Sequence, residues 1–373
     1  MYYQEWVKPN YDKTKPIMFD TETLGLYGKT RLIQLCQDGK VFMFDCFYIP
    51  ISQIKEYLQD CHLVGHNLLY DFNCPDFYNF IPKDFDDTLN MAKLTYPYLD
   101  SFSLKSLLQM NNLDKGEEGK SDWAATYLSD EQLNYAKDDV YLLESIYYKM
   151  IDIKSDSSYK LDIKNIRYSL NYSRIGLKVH EDNRQELINK AITLRDEALE
   201  NLPNGLNINS PKQVKEFLGS ADSSSATLTD MVLLEQDERA KAILDARKYT
   251  KQLNFLESKF NSDRAFGIFH PSGAKSGRWT CKEQNLQQLP RDLKKVFGFR
   301  EDEEKWLVDA DYSALEIYCA CAYVGERTMY KMLQNGTDLH TYSASQIYNK
   351  PMEDVTKYER QVGKTATGVT LVV

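Results

Sequence analysis

Ile17-Met18-Phe19-Asp20-Thr21-Glu22-Thr23-Leu24-Gly25 is the stretch from which the first part of this chain is read. An apolar run closing in two acids separated by one residue has the period of a buried strand, and that period puts both carboxylates on one face. Two like charges there are costly to bury unless a cation lies between them. A hard divalent ion that takes oxygen ligands, Mg²⁺ or Mn²⁺, removes the penalty and suits the pair to phosphate chemistry. Taken alone, the pair reads sooner as the acidic turn residues common at strand ends than as a metal site.

Two later segments bear on that choice. His66-Asn67-Leu68-Leu69-Tyr70-Asp71 follows the short apolar strand Leu63-Val64-Gly65, and Asn67 and Asp71, four apart, stack on one face of a starting helix. Tyr135-Ala136-Lys137-Asp138-Asp139 lies inside a long helical pattern and repeats the spacing with Tyr135 and Asp139. Singly, these acids read as a solvated helix face and Tyr135 as one core aromatic among 26 tyrosines. In this order the three segments resemble the DEDD superfamily of 3′ to 5′ exonucleases, in its tyrosine-bearing branch. The resemblance implies that Asp20, Glu22, Asp71 and Asp139 hold two Mg²⁺ or Mn²⁺ ions and that Tyr135 serves the attacking water. In-line cleavage of a phosphodiester needs a deprotonated water on one side and charge relief at the leaving 3′ oxygen on the other, which two metals about 4 Å apart supply. Four carboxylates balance two such ions. With an unperturbed pKa of about 10, a tyrosine is a poor base at neutral pH, so Tyr135 reads as orienting a metal-bound water.

The 373 residues suffice for two or three domains. Met1 to Lys15 is polar and aromatic and no apolar run is long enough to cross a bilayer, so the expectation is a soluble cytoplasmic protein, of a bacterium or a phage-infected cell, with no membrane partner. Seven cysteines with no C-x-x-C pair give neither a disulfide framework nor a zinc site, and Cys319 and Cys321 read as packing. A net charge of -9 argues against indiscriminate coating of nucleic acid but leaves room for a locally basic groove.

In chain order, Arg31 to Gln37 and Lys40 to Cys46 flank Asp38-Gly39, a two-residue hairpin signal. An amphipathic helix around Ile51 to Leu58 follows, then the Leu63 strand and the Asn67 helix, which Pro75 stops. Ser121-Asp122-Trp123 also fits the exonuclease family, and Ser129 with Gln132 forms a capping box that starts the Tyr135 helix. From about residue 152 the composition shifts to Lys, Asp and Ser, a boundary signal. Ile166 to Leu177, Glu181 to Leu202 and Ala240 to Phe260 read as helices, and Ser210-Pro211 as the N-cap and first position of another.

Ser276-Gly277-Arg278-Trp279-Thr280 and Asn285-Leu286-Gln287-Gln288-Leu289-Pro290-Arg291, with Asn207 to Gln213, resemble the thumb-to-palm region of family A DNA polymerases. Arg278, Lys282, Arg291, Lys294, Lys295 and Arg300 concentrate positive charge in an acidic chain, as contacts to phosphates of any sequence require. The amides of Gln284, Asn285, Gln287 and Gln288 suit the degenerate edges of a minor groove. Trp306-Leu307-Val308-Asp309-Ala310-Asp311-Tyr312-Ser313-Ala314-Leu315-Glu316 reads as a strand delivering Asp311, followed by a helix that Ser313 and Glu316 cap. It resembles the same family's first palm motif, which implies that Asp311 is catalytic and metal-binding and that Glu316 crowds the sugar in favour of deoxyribose. Asp338-Leu339-His340, and Arg360 with Lys364 four residues on, resemble its incoming-nucleotide region and fingers helix.

Past Lys364 the resemblance stops: Gly368 and Val372 stand where the family has an aromatic residue and a Tyr. A frameshifted, split or truncated gene is expected. The acidic pair that completes the polymerase site would then be missing, and Mg²⁺ would occupy that site only if a second polypeptide supplied the motif.

The expected fold is α/β: an RNase H-like 3′-5′ exonuclease domain over 1–150, a helical connector and thumb-like region over 151–260, and an incomplete palm with the start of the fingers over 261–373. The expected function is that of an N-terminal portion of a family A DNA-directed DNA polymerase, keeping metal-dependent exonuclease but not polymerisation. Its partners would be single-stranded 3′ ends, primer-template duplex and, in the complete enzyme, deoxynucleoside triphosphates. The rivals are a stand-alone exoribonuclease of the RNase D kind, which leaves Asp311 to Glu316 unexplained, and a non-catalytic DNA-binding fragment or half of a split polymerase.

Overall fold

The structure, a computed structural model, describes residues 1–115, 122–260, 262–299 and 304–370. It falls into two units, Met1–Lys305 and Trp306–Val373.

In the first unit, the Asp20 stretch becomes a strand inside a six-stranded mixed sheet. In chain order come β1 (Tyr2–Tyr3), β2 (Ile17–Thr23), β3 (Thr30–Gln37), β4 (Lys40–Asp45), α1 (Ile51–Leu58), β5 (His62–Gly65), α2 (Leu68–Asn73) and β6 (Asp84–Asp87). In space the strands run β1-β4-β3-β2-β5-β6. The β2–β3 and β3–β4 pairs are antiparallel; β1–β4, β2–β5 and β5–β6 are parallel. This is the RNase H-like layer that the sequence predicts. Asp38 and Gly39 both take positive φ, 50° and 74°, as a two-residue turn between right-twisting strands requires. Strand alternation sorts the core. Ile17 and Phe19 join Ile33, Leu35, Phe42 and Phe44 on one face, while Met18 joins Leu32, Cys36, Val41 and Met43 on the other. Asp20 and Glu22 share the parity of Met18 and go to that second face.

The helix covering the second face is α5 (Asp130–Lys149), which follows α3 (Thr88–Thr95) and α4 (Leu104–Met110). It starts at the predicted capping box: Gln132 N donates to Ser129 Oγ at 3.2 Å, and Ser129 N donates to Gln132 Oε1 at 2.9 Å. Its stripe of Ala136, Val140, Leu143, Ile146 and Tyr147, at helical spacing, fills the space over the sheet. The Lys, Asp and Ser run near 152 forms a 3₁₀ turn (Ile151–Ser155) and the Asp156 cap of α6 (Ser157–Ile175). Helix α6 packs Ile166 and Leu170 into the first-face core, and Arg174 donates to the carbonyls of Phe72, Phe77 and Phe80.

The chain continues through β7 (Leu177–Lys178), α7 (Glu181–Glu200), α8 (Pro211–Leu218), α9 (Ser225–Glu235), α10 (Glu238–Asn254), β8 (Arg264–Ala265), β9 (Gly267–His270) and β10 (Thr280–Glu283). Ser210 caps α8 with Pro211 at its first position, as the sequence predicts, and left-handed Gly219 ends it. The antiparallel β9–β10 hairpin lies on α6, where Phe269 N donates to Ser173 Oγ and Ser169 Oγ donates to the Phe269 carbonyl.

The second unit holds α11 (Leu315–Val324), α12 (Arg327–Gln334), α13 (Leu339–Tyr348) and α14 (Lys357–Thr370). Here two expectations fail. Trp306–Asp311 is not a strand: it is irregular, with Trp306 88% and Val308 83% exposed. A strand exists only by pairing its backbone, and none of the described strands pairs with this one. Nor do Ser313 and Glu316 form a capping box, because Ala314, left-handed at φ 51°, precedes α11 and no side chain caps it.

Candidate active site

Strand β2 and helix α5 bring Asp20, Glu22 and Asp139 together, with ligand oxygens within 4.8 Å of one another. Asp139 is there because Ala136 and Val140 on either side of it seat α5 on the sheet. Tyr135 lies one turn earlier on the same helix. Three carboxylates converging in a mostly buried place are an all-oxygen donor set, which fits a hard divalent cation. The electrostatics agree. Burial, then the charges of Asp139, Asp71 and Glu22, push the Asp20 carboxyl well above its usual range. A divalent cation would stabilise the ionised form instead.

Asp71 stands outside this triad. Thr21 Oγ1, on the face of β2 opposite Asp20, donates to Asp71 Oδ1 at 2.6 Å. Burial lifts the Asp71 carboxyl to about 7 against the opposing pull of that bond. Of the four expected ligands, then, three converge, and the fourth is near enough to raise Asp20.

Asn67 departs from its predicted place on a helix face. It precedes α2 as a left-handed residue, φ 66°. The cause is Asp87, which the sequence reading passed over. Its buried carboxylate accepts from the amides of Leu68 (2.8 Å), Asn67 (3.3 Å), Leu89 (2.9 Å) and Asn90 (3.3 Å), holding the starts of α2 and α3 at once. Two cations were also passed over. Arg31, fully buried in β3, pairs with Asp45 at 3.0 Å and donates to the carbonyls of Ala125 (2.7 Å) and Thr126 (3.3 Å), fixing the segment that leads into the Ser129 cap. An arginine inside an otherwise buried strand was the available signal. The ammonium of Lys115 touches Asp139 and lies 3.8 Å above the Tyr135 ring; nothing in its local sequence marks it.

Beside Asn67, a cavity of about 200 Å³ is lined by Asn90 and Lys93 from α3 and by His270, Thr280 and Lys282 from the β9–β10 hairpin. Burial, with Lys282 and Lys93 nearby, lowers His270 to about 4 and keeps it neutral at pH 7.

The expected nucleic-acid residues have mixed placements. Gln284 is committed in part, since its Oε1 accepts from Phe266 N at 2.8 Å. Asn285 is half-buried, whereas Arg278, Gln287, Gln288 and Arg291 are exposed. Lys294 and Lys295 share a 3₁₀ turn with Arg291 (Arg291–Val296). Arg300, Ser121 and Val372 lie outside the described residues. In the second unit, Asp338 caps α13 and accepts from Arg360 Nε at 2.6 Å. Arg360 and Lys364 sit four apart on α14, as predicted, and His340 and Arg360 line a cavity of about 380 Å³ with Ser313. Asp311 and Glu316 are exposed.

The 3′-5′ exonuclease family description matches residues 4–153, and that of DNA polymerase family A matches residues 178–367. DNA polymerase I of Aquifex aeolicus is 26% identical, over 93% of this chain and 67% of its own length. DNA polymerase I of Borreliella burgdorferi is 24% identical, over 95% of this chain and 44% of its own. A DNA polymerase of Bacillus phage SP01 is 29% identical over 35% of this chain and 16% of its own. Among solved structures, the POL domain of Pol1 from M. smegmatis, in complex with DNA primer-template and dNTP, superposes with a TM-score of 0.70 at 17% identity, covering 94% of this chain and 66% of that one. None of the described helices is long and apolar enough to cross a membrane. A sheet-and-helix layer with a carboxylate triad, a helical region beyond it, and a family match over just over half of its residues therefore have one account: the chain belongs to DNA polymerase family A and carries a 3′-5′ exonuclease domain ahead of the polymerase segment.

Proposed function

We propose that the first unit hydrolyses single-stranded DNA from its 3′ end with two Mg²⁺ or Mn²⁺ ions, as the proofreading site of a family A polymerase. The observation that carries this is the convergence of Asp20, Glu22 and Asp139 within 4.8 Å, with Tyr135 one turn from Asp139. Such ions supply an activated water and charge relief at the leaving oxygen. The chain's own residues do the rest. Asp20, Glu22 and Asp139 gather the cations, Asp71 adds a fourth carboxylate from across β2, Tyr135 orients the water, and Asn67 faces the terminal nucleotide.

In this reading Arg278, Gln284, Asn285, Gln287, Gln288 and Arg291 hold a primer-template duplex. Asp311, Glu316, His340, Arg360 and Lys364 face an incoming deoxynucleoside triphosphate. The protein would work in the cytoplasm, where both substrates are found.

A 5′-labelled single strand incubated with Mg²⁺ should shorten one nucleotide at a time and stop with EDTA. D20A combined with E22A should abolish shortening. Undiminished hydrolysis by that variant would refute the assignment, and a preference for RNA over DNA ends would favour the ribonuclease reading.

A further inference from the structure

We propose that Lys115 is a tethered counter-ion of the carboxylate triad, which gives up its contact with Asp139 when a divalent cation binds. The inference rests on the exonuclease reading and adds a residue to that site. Lys115 is only 9% exposed. Its ammonium touches Asp139 Oδ1 and lies 3.8 Å over the face of Tyr135, the residue one turn before Asp139. It also acts electrostatically on Asp20, on β2, and on His66, at the end of β5. The positive charge is therefore in contact with Asp139 and the Tyr135 ring and near enough to Asp20 and His66 to act on both.

With all three carboxylates ionised, one ammonium beside them leaves the site two negative charges in excess, and a divalent ion is what would draw the raised Asp20 carboxyl into that ionised state. Once such an ion shares Asp139, ammonium and metal repel each other across a few ångströms of poorly solvated space. The ion must then work against Lys115 or displace it. Linkage makes this reciprocal: whatever the metal does to the Lys115 contact, Lys115 does to metal affinity. Lys115 thus holds the triad together when no metal is bound, and it sets the divalent concentration at which the site fills.

The test is Mn²⁺ binding to the full chain without nucleic acid, read by the loss of the free-ion electron paramagnetic resonance signal. K115M should bind Mn²⁺ about tenfold or more tightly than the unsubstituted chain, and K115R, which keeps the charge, should remain close to it. In EDTA, K115M should melt at a lower temperature than the unsubstituted chain, and saturating Mn²⁺ should close most of that gap. D139N separates the two claims. Mn²⁺ binding indifferent to D139N would sink the carboxylate reading and the exchange together. Binding that needs Asp139 but is not tightened by K115M would sink the exchange alone. Should K115M fail to fold, the unsubstituted chain carries the test: acylation of Lys115 by an amine reagent, followed by mass spectrometry, should be slow in EDTA and several-fold faster with Mn²⁺. A rate indifferent to saturating Mn²⁺ overturns the proposal.

Discussion

Asp71 shows how one buried acid couples the site to pH. Its carboxyl is lifted from 3.8 to about 7, chiefly by burial, so the folded chain holds that proton more tightly than the unfolded chain does. The stability this confers is complete below the unfolded value and is lost as pH rises through about 7. In EDTA, the melting temperature should therefore fall more steeply between about pH 5 and pH 8 in the unsubstituted chain than in D71N, which has no proton to lose. His66 acts the other way: burial lowers it to about 4, so its contribution is lost as pH falls from 6.5 toward that value. The difference between the two chains, not either slope alone, isolates Asp71, and parallel slopes would refute its burial as an acid. Arg31 is the complementary case, a fully buried cation whose removal strands Asp45 and the loop carbonyls. R31A should cost about 3–5 kcal/mol in urea unfolding. Both roles depend on partners distant in sequence. Local period put Asp20 and Glu22 on one face, but it was the resemblance of three ordered segments to a known family that joined Asp139 to them; Arg31, Asp87 and Lys115 belong to no such segment and were not legible.

Elements were legible where their determinants are local. The Asp38-Gly39 turn, the Ser129–Gln132 box and the Ser210-Pro211 start each settle the backbone within a few residues, and each forms as read. The Ser129 cap also aims α5, and with it Tyr135 and Asp139. S129A should cost about 1 kcal/mol and lower exonuclease activity by more than that loss of folded protein explains, because the first turn of α5 leads directly to Tyr135. Equal loss of activity and folded fraction would show that the cap is only structural. Misreadings occurred where a distant group intervenes. Asp87 draws the Asn67 and Leu68 amides to itself, so Asn67 leaves the helix face that a spacing of four assigns to it. Trp306–Asp311 has the composition of a strand, but composition supplies no neighbour with which to pair. The close approach of α14 to α13 was equally invisible. A Cβ on Gly363 would lie 2.2 Å from the His340 carbonyl oxygen, so G363A should force the two helices apart and cost about 1–3 kcal/mol.

At the scale of the whole molecule, the carboxylates proposed for the two chemistries differ in how well they are held. The carboxylate triad is mounted on a central strand and on a 20-residue helix packed against that strand's sheet, so none of its three acids can shift without disturbing a core. Asp311 is exposed in an irregular segment, and the described residues contain a single cluster of three or more candidate ligands, that of Asp20, Glu22 and Asp139. A magnesium ion requires near-octahedral oxygen ligation, and one exposed carboxylate supplies little of it even with a triphosphate present. The expected outcome, on a primer-template with Mg²⁺ and all four deoxynucleoside triphosphates, is shortening of the primer without extension. D20A combined with E22A, the variant expected to lack hydrolysis, tests this more sharply, because degradation then no longer hides synthesis. If that variant lengthens the primer, the polymerase segment gathers its metal by a route that Asp311's surroundings do not reveal. If the primer stays intact, hydrolysis and synthesis in this polypeptide part where its rigid carboxylates end.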